Sequence, residues 1–361
     1  MPASPFTALD RAPKRTALVE HFRSKIVAGE LPPGTQLQSR PKMARDLGAC
    51  KATLQDALDE LKRDGFIESR PNEGTFVSEK PPHLSRIGFV LEPDPGSLWR
   101  AFMDALERGT RGEAEKLGGY RLASYENVTQ HCDTLQYQNL LSDIKAHRVA
   151  GLIFRGDVRG WGVTETPFML LPGIPRVVLG ADPPDIPGAV RIDRDYCDFF
   201  DRALDYLQPR GRRRIALITN FSVPKPIMER FEAALSARGM KTKFPWIHHA
   251  IGEEARAVTE LLMLLPAAER PDGVLVMSEN LAEQISAGML ASHVQVGSDL
   301  DIVAHFNMPC VGGTQVPMRR LGWSAPECLR VAVGLIDRQQ RGEPVPPRVT
   351  LRAFFEEEID R

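Results

Sequence analysis

The stretch from Val27 to Val77 constrains the fold of this chain more than any other. It reads VAGELPPGTQLQSRPKMARDLGACKATLQDALDELKRDGFIESRPNEGTFV. A helix leads into it over Thr16–Val27, because Leu18, Phe22 and Ile26 recur at helical spacing. Gly29 stops that helix, and Pro32-Pro33-Gly34 makes a rigid turn. A short helix is expected at about Arg40–Asp46, then a turn at Leu47-Gly48-Ala49. A second helix, from about Lys51 to Asp64, buries Leu54, Leu58 and Leu61 on one face, and Gly65 ends it. Two short β-runs, FIES and TFVS, flank the turn formers Arg70-Pro71-Asn72-Glu73-Gly74. The pattern is a helix-turn-helix followed by a hairpin wing, a DNA-reading head.

The whole chain has 361 residues, long for one domain, so two or three compact units are expected. The formal net charge is −1. A chain that merely coated nucleic acid would be more basic, so any DNA contact is confined to a patch. The five cysteines (Cys50, Cys132, Cys197, Cys310 and Cys328) are scattered, with no CxxC, which argues against a metal site or a disulfide framework. The N-terminus, MPASPFTALDRAPKR, has no apolar core and does not read as a signal peptide. The longest apolar run, near Leu261–Leu265, is too short to span a bilayer. A cytoplasmic protein without membrane attachment is the expectation.

The head closely resembles the winged-helix head of GntR-type bacterial transcription regulators. The resemblance is carried by AGELPPGTQL, by MARDLGACKATLQDALDELKRDGFI and by the terminal GTFV, and it spans about Lys14 to Ser78. It implies operator binding by a homodimer, with the second helix in the major groove and the wing along the backbone. The candidate DNA contacts are Arg40, Lys42, Lys51, Thr53, Gln55, Arg70 and Asn72. This chain departs from the family at several of them. Where the family has Ser-Arg-x-Thr-Val-Arg, the sequence is Cys50-Lys51-Ala52-Thr53-Leu54-Gln55. Lysine keeps the charge without the bidentate fork, and glutamine can still bond adenine. The family's Pro-Ser-Glu-Arg becomes Gln38-Ser39-Arg40-Pro41, which moves the arginine back one place and turns it by about 100° around a helix. The wing carries Asn72-Glu73-Gly74 in place of Gly-basic-Gly. Asn72 tolerates the left-handed backbone, while Glu73 would repel phosphate. The other reading of this charged face is a solvated surface that docks protein.

After a linker, Glu79 to Ser85, strand-like apolar runs alternate with amphipathic helices. RIGFVLE, YRLASYE, VAGLIFRG, RVVLGA and AVRID form one series, and RRIALIT, FPWIHHA, DGVLVMS and HVQVGSDLDIVAHF a second, closed by a helix near Ala325–Arg341 and a strand, RVTLRAF. Such alternation argues for an α/β fold of parallel sheets covered by helices, in two lobes. Ligands of open α/β sheets sit at the carboxyl ends of strands, which puts one ligand in the cleft between lobes. The expected division is a flexible arm at 1–13, the winged helix-turn-helix at 14–78, the linker at 79–85 and the two-lobed domain at 86–361. Lobe 1 takes about 86–208 and 317–342, and lobe 2 about 212–312 and 345–361.

Six phrases in this region, in order, resemble the effector-binding core of LacI-type regulators, which has a periplasmic-binding-protein-like fold. They are RIGFVLE, GRRRIALITN, MERFEAALSARGM, RPDGVLVMSENLAEQI, SDLDIVAHFNMP and TQVPMRRLGWSAPECL. Joined to a GntR-type head, such a core implies a sugar-responsive regulator. The candidate effector contacts are Arg230, Asn307, Ser278, Asp193 and Trp99. Arg230 matches the arginine of the family's Arg-Phe motif, and a surface ion pair with Glu229 or Glu232 is its other reading. Asn307 stands where the family has the first aspartate of a pair, so a charged acceptor for sugar hydroxyls is lost. Ser278 ends a strand, and Glu279 or Asn280 could instead cap the next helix. Asp193 ends AVRID, with hinge structure as its alternative role. Trp99 is the candidate ring platform, ahead of Trp161 and Phe221, although aromatics spaced as Trp99 and Phe102 are usually core. His305 replaces a glycine.

No GxSxG, HExxH, P-loop or GxGxxG after a strand is present, so no cofactor and no enzymatic activity are expected. His248-His249 on a strand point to opposite faces, a poor metal site. The reading is a DNA-binding transcription regulator, a repressor in preference to an activator, set by a sugar or sugar-like effector. The alternative is a ligand-binding or scaffold protein whose head no longer binds DNA.

Overall fold

A computed structural model of the chain describes residues 14–91, 100–110, 119–126, 128, 134–155, 162–180, 186, 188–310 and 313–359. The N-terminal arm lies outside them. The head is α1 (Arg15–Val27), α2 (Arg40–Asp46), α3 (Lys51–Arg63), β1 (Ile67–Arg70) and β2 (Gly74–Val77). Its apolar stripes meet in one core: Leu18, Phe22 and Ile26 from α1, Met43 from α2, Leu54, Leu58 and Leu61 from α3, and Phe66 and Val77 beside the wing. The two strands pair antiparallel from Ile67↔Val77 to Arg70↔Gly74. Asn72 at the tip has φ 60°, the left-handed backbone expected of it. Gln36 extends the wing by bridging to Phe76.

The expected linker is partly built. Residues Pro82–Ser85 form a helical turn, α4, and β3 (Arg86–Leu91) follows without a gap. The Ser85 hydroxyl donates to the carbonyls of Lys80 and Pro81, at 2.8 and 2.9 Å. The His83 ring stacks on Phe66 of the head, centroids 5.9 Å apart.

Beyond it come α5 (Arg100–Thr110), β4 (Arg121–Tyr125), α6 (Leu135–Lys145), β5 (Gly151–Arg155), α7 (Pro167–Leu170), β6 (Arg176–Leu179), β7 (Ala189–Arg194) and α8 (Tyr196–Leu207). Then follow β8 (Ile215–Thr219), α9 (Lys225–Ala237), β9 (Ile247–His249), α10 (Glu254–Met263), β10 (Gly273–Val276), α11 (Ala282–Ala291), β11 (Asp301–Met308), β12 (Arg319–Ser324), α12 (Ala325–Gln340), β13 (Arg348–Leu351) and β14 (Phe354–Phe355). They make two six-stranded sheets, ordered β13-β7-β6-β5-β3-β4 and β14-β12-β11-β10-β8-β9. In the second, β9, β8, β10, β11 and β12 pair in parallel and β14 is antiparallel. Ile215, Leu217 and Leu275 enter one apolar cluster, while Ala216, Ile218, Val274 and Val276 enter another. β8 and β10 are therefore buried on both faces, which is why each is a continuous apolar run in the sequence.

The chain separates into two compact units. One comprises Met1–Pro93, Ala114–Arg191 and Val333–Pro347, and holds the head; the other comprises Asp94–Glu113, Ile192–Ala332 and Arg348–Arg361. β12 falls in the residue range expected for lobe 1, yet it pairs with β11 in the second sheet. Likewise α8 packs Phe199, Phe200 and Leu204 with Ile215 and Leu217 of β8. The single strand expected over 348–354 is two strands, β13 and β14, in different sheets. They part at Ala353, whose N–H donates to the Asp198 carboxylate at 2.8 Å in place of a ladder partner. No helix among the described residues is long and apolar enough to cross a membrane.

Candidate functional site

In the head, the start of α3 is set by its cap. Cys50 occupies the N-cap position, and its sulfur accepts the Thr53 N–H at 3.4 Å and shares a hydrogen bond with the Thr53 hydroxyl at 2.9 Å. These bonds, the hydroxyl's first, hold the thiol pKa below its ordinary value. Lys51 is the first residue of α3 and is exposed; Arg40 and Lys42 on α2 are exposed as well. The Gln55 amide donates to Asp59 one turn on, at 2.8 Å. Arg70 turns inward along its own wing. It pairs with Glu68 at 2.8 Å and Glu79 at 3.2 Å, and lies 4.3 Å over the Phe76 ring. Asn72 is exposed at the tip, and the carbonyl of Glu73 accepts the Gln36 amide at 2.6 Å. Sequence reasoning passed over Gln36 and the capping role of Cys50. The cap had a local signal, a polar side chain just ahead of an amphipathic run; Gln36 had none.

In the second unit, a cavity of about 430 Å³ is lined by Arg194, Asp195, Tyr196, Cys197, Ile227, Arg348 and Thr350. The end of β7, the first turns of α8 and α9, and the start of β13 place these residues. Asp193 is 3% exposed and its carboxylate takes the Arg348 guanidinium at 2.5 Å. Arg230 is exposed on α9, and the neighbouring Cys197 raises its pKa. Two of the expected effector residues, Asp193 and Arg230, thus each lie beside a residue of the cavity wall. Arg194 lies 5.5 Å from the centroids of both Tyr196 and Trp323. Phe221 stands 5.9 Å from Tyr196. His305 is buried, 5.3 Å from Trp323 and 6.4 Å from Phe199.

Asn307 forms a separate pair. Its backbone N–H, at 3.2 Å, and its side-chain amide both donate to one oxygen of Glu279. Ser278 is buried just before Glu279, at the start of the 3-10 turn Glu279–Leu281, and its side chain makes no capping bond. Trp99 and Trp161 lie outside the described residues. Phe102 is buried. Sequence reasoning missed Arg194, Tyr196 and Arg348, because only the fold sets β13 against the end of β7. No cluster of three or more metal-ligating side chains occurs among the described residues.

Residues 14–77 match the family model of bacterial regulatory proteins, gntR family, and residues 204–355 match that of the periplasmic binding protein-like domain. The N-terminal segment is thus similar to a GntR-type head, and the C-terminal part to a periplasmic-binding-protein-like domain. Both halves agree with the resemblances drawn from the sequence. The chain is 39% identical over 77 residues to the probable rhizopine catabolism regulatory protein MocR of Rhizobium meliloti, covering 20% of this chain and 16% of that protein. It is 26% identical over 214 residues to the arabinose metabolism transcriptional repressor of Geobacillus stearothermophilus, covering 56% of each. It thus spans a minor part of the first relative and about half of the second. A LacI family transcriptional regulator from Lactobacillus casei, with bound glucose, superposes with a TM-score of 0.53 at 21% identity, over 75% of this chain and 97% of that one. At this identity the likeness establishes the fold.

Proposed function

We propose that this protein is a transcription regulator, a repressor, that binds operator DNA as a homodimer and is controlled by a small sugar-like effector. The observation that carries the reading is the joining of a winged helix to a periplasmic-binding-protein-like core in one chain. In the head, Lys51 at the start of α3 enters the major groove with Thr53 and Gln55, and Arg40 and Lys42 take phosphates. Asn72 shapes the wing tip, and Arg70 braces the wing through Glu68 and Phe76. In the core, Arg230 and Asp193 flank the effector, with Asn307 and Ser278 as further contacts and Trp99 as ring platform. The relatives are named as regulators, which favours control of transcription over catalysis.

Effector binding and operator binding are linked through one free energy, so each shifts the other's affinity. The test is fluorescence anisotropy of the full chain on its own promoter DNA across a salt series. Specific, steeply salt-dependent binding is expected. Weak, flat binding to every sequence would leave the alternative, a ligand-binding or scaffold protein with a head that no longer reads DNA.

A further inference from the structure

We infer that the cavity at the start of α8 takes an anionic effector: a sugar or polyol carrying a phosphate or a carboxylate. The inference rests on the proposed reading of the core as an effector receptor and names the chemical class of its ligand. Three arginines stand at the cavity wall: Arg194 and Arg348 line it, and Arg230 neighbours the lining residue Cys197. Three carboxylates oppose them, and each is engaged; Asp201, which acts on Arg230, takes Arg238 at 2.9 Å. Asp193 holds Arg348 at 2.5 Å. Asp195 caps α8, where one of its oxygens accepts the Asp198 N–H at 2.9 Å. Among the described residues, Arg194 pairs with no carboxylate.

Arg194 is nonetheless held in place. The Tyr196 and Trp323 rings each lie 5.5 Å from its guanidinium, so cation–π contact fixes a half-buried charge without neutralising it. A guanidinium held this way is a planar fork for a phosphate or carboxylate, and little ordering cost remains when the anion arrives. The first turns of α8 and α9 reach the same wall through Tyr196, Cys197 and Ile227, adding the partial positive charge of two helix N-termini. Thr350 and Tyr196, both in the lining, bring polar side chains for the neutral part of the ligand. The wall thus offers hydroxyl groups beside an oxyanion site at Arg194.

The experiment is calorimetric titration of the full chain at constant ionic strength. The probes are glucose, arabinose and ribose, their phosphates, the corresponding sugar acids, and inorganic phosphate alone. At least one sugar phosphate or sugar acid is expected to bind about tenfold or more tightly than its neutral parent, the yield of a charged hydrogen bond. Which of the two anion sets does so identifies phosphate or carboxylate. The variant R194Q should erase that preference while leaving the melting profile near that of the parent, R194K should restore part of it, and R230Q should weaken it. Equal or tighter binding of a neutral sugar overturns the anion assignment and leaves the effector reading standing. An anion preference that survives in R194Q places the charge elsewhere and overturns it too. If neither anion set binds, the assignment fails, and the neutral sugars alone then decide whether the core is a sugar receptor.

Discussion

The Asp64 carboxylate, at the C-cap of α3, receives the Arg148 guanidinium at 3.2 Å. The same carboxylate receives Arg23 of α1 at 3.0 Å. Arg148 is held in turn by Asp143 at 2.7 Å and by the Ser142 hydroxyl at 3.0 Å, and Asp143 takes Arg86 at 3.0 Å and the Tyr125 hydroxyl. The helix proposed to read DNA therefore ends on an ion network rooted in β3, β4 and α6. Within this unit, the network is a direct path between the head and the α/β core.

Cutting the path at Arg148 should loosen the head without unfolding it, because Asp64 keeps Arg23. R148M is expected to cost about 1–2 kcal/mol in denaturant unfolding, the range for a charged hydrogen bond that is partly solvated. Proteolysis within 79–85 should quicken, and the effect of any effector on operator affinity should shrink. A double-mutant cycle with D64N should show coupling, since the two groups touch. Additive effects would mean that the contact carries no energy.

His83 supplies a pH test of the same junction. Burial, with help from the nearby charge of His147, lowers its pKa from 6.5 to about 4. The native ring is therefore neutral. Above the unfolded value of 6.5 it has no effect on stability; as pH falls from there toward about 4, only the unfolded state takes up the proton, and stability drops. H83F keeps the stack on Phe66 and removes the titration. The parent should lose on the order of 1–2 kcal/mol more than H83F across that window, after allowance for partial solvation. Parallel losses in the two proteins would rule out this role for His83.

On DNA, Lys51 and Glu73 should act in opposite directions. K51A removes one exposed cation, so operator affinity should fall and the slope of log K against log salt should flatten by about one. E73K replaces an exposed wing-tip anion by a cation and should steepen that slope while tightening binding to all sequences alike. No change in slope for either variant would place both residues off the DNA.

Asn72 tests the wing turn. At φ 60° a β-branched residue is strained, so N72V should destabilise the head by about 1–2 kcal/mol, while N72G should be nearly neutral. Thermal unfolding followed by circular dichroism reads both. Equal melting of the two variants would contradict the left-handed assignment.

What the residues determined by themselves is what short-range physics encodes. Leu18, Phe22 and Ile26 at helical spacing, the stop at Gly29, and Asn72 in a turn each follow from local sterics or from the period of an apolar face. The buried runs at Ile215–Thr219 and Gly273–Val276 announced a parallel sheet covered on both sides for the same reason. The tertiary structure decided the pairings between distant parts of the chain. It set Arg348 on Asp193, Arg148 on Asp64, Gln36 against the wing and the Asn307 amide on Glu279, and it turned Arg70 back onto Glu68 and Glu79. A side chain's charge is written in the sequence, but its partner is set by which strands and helices the folded chain lays side by side. No local preference of the backbone carries that information.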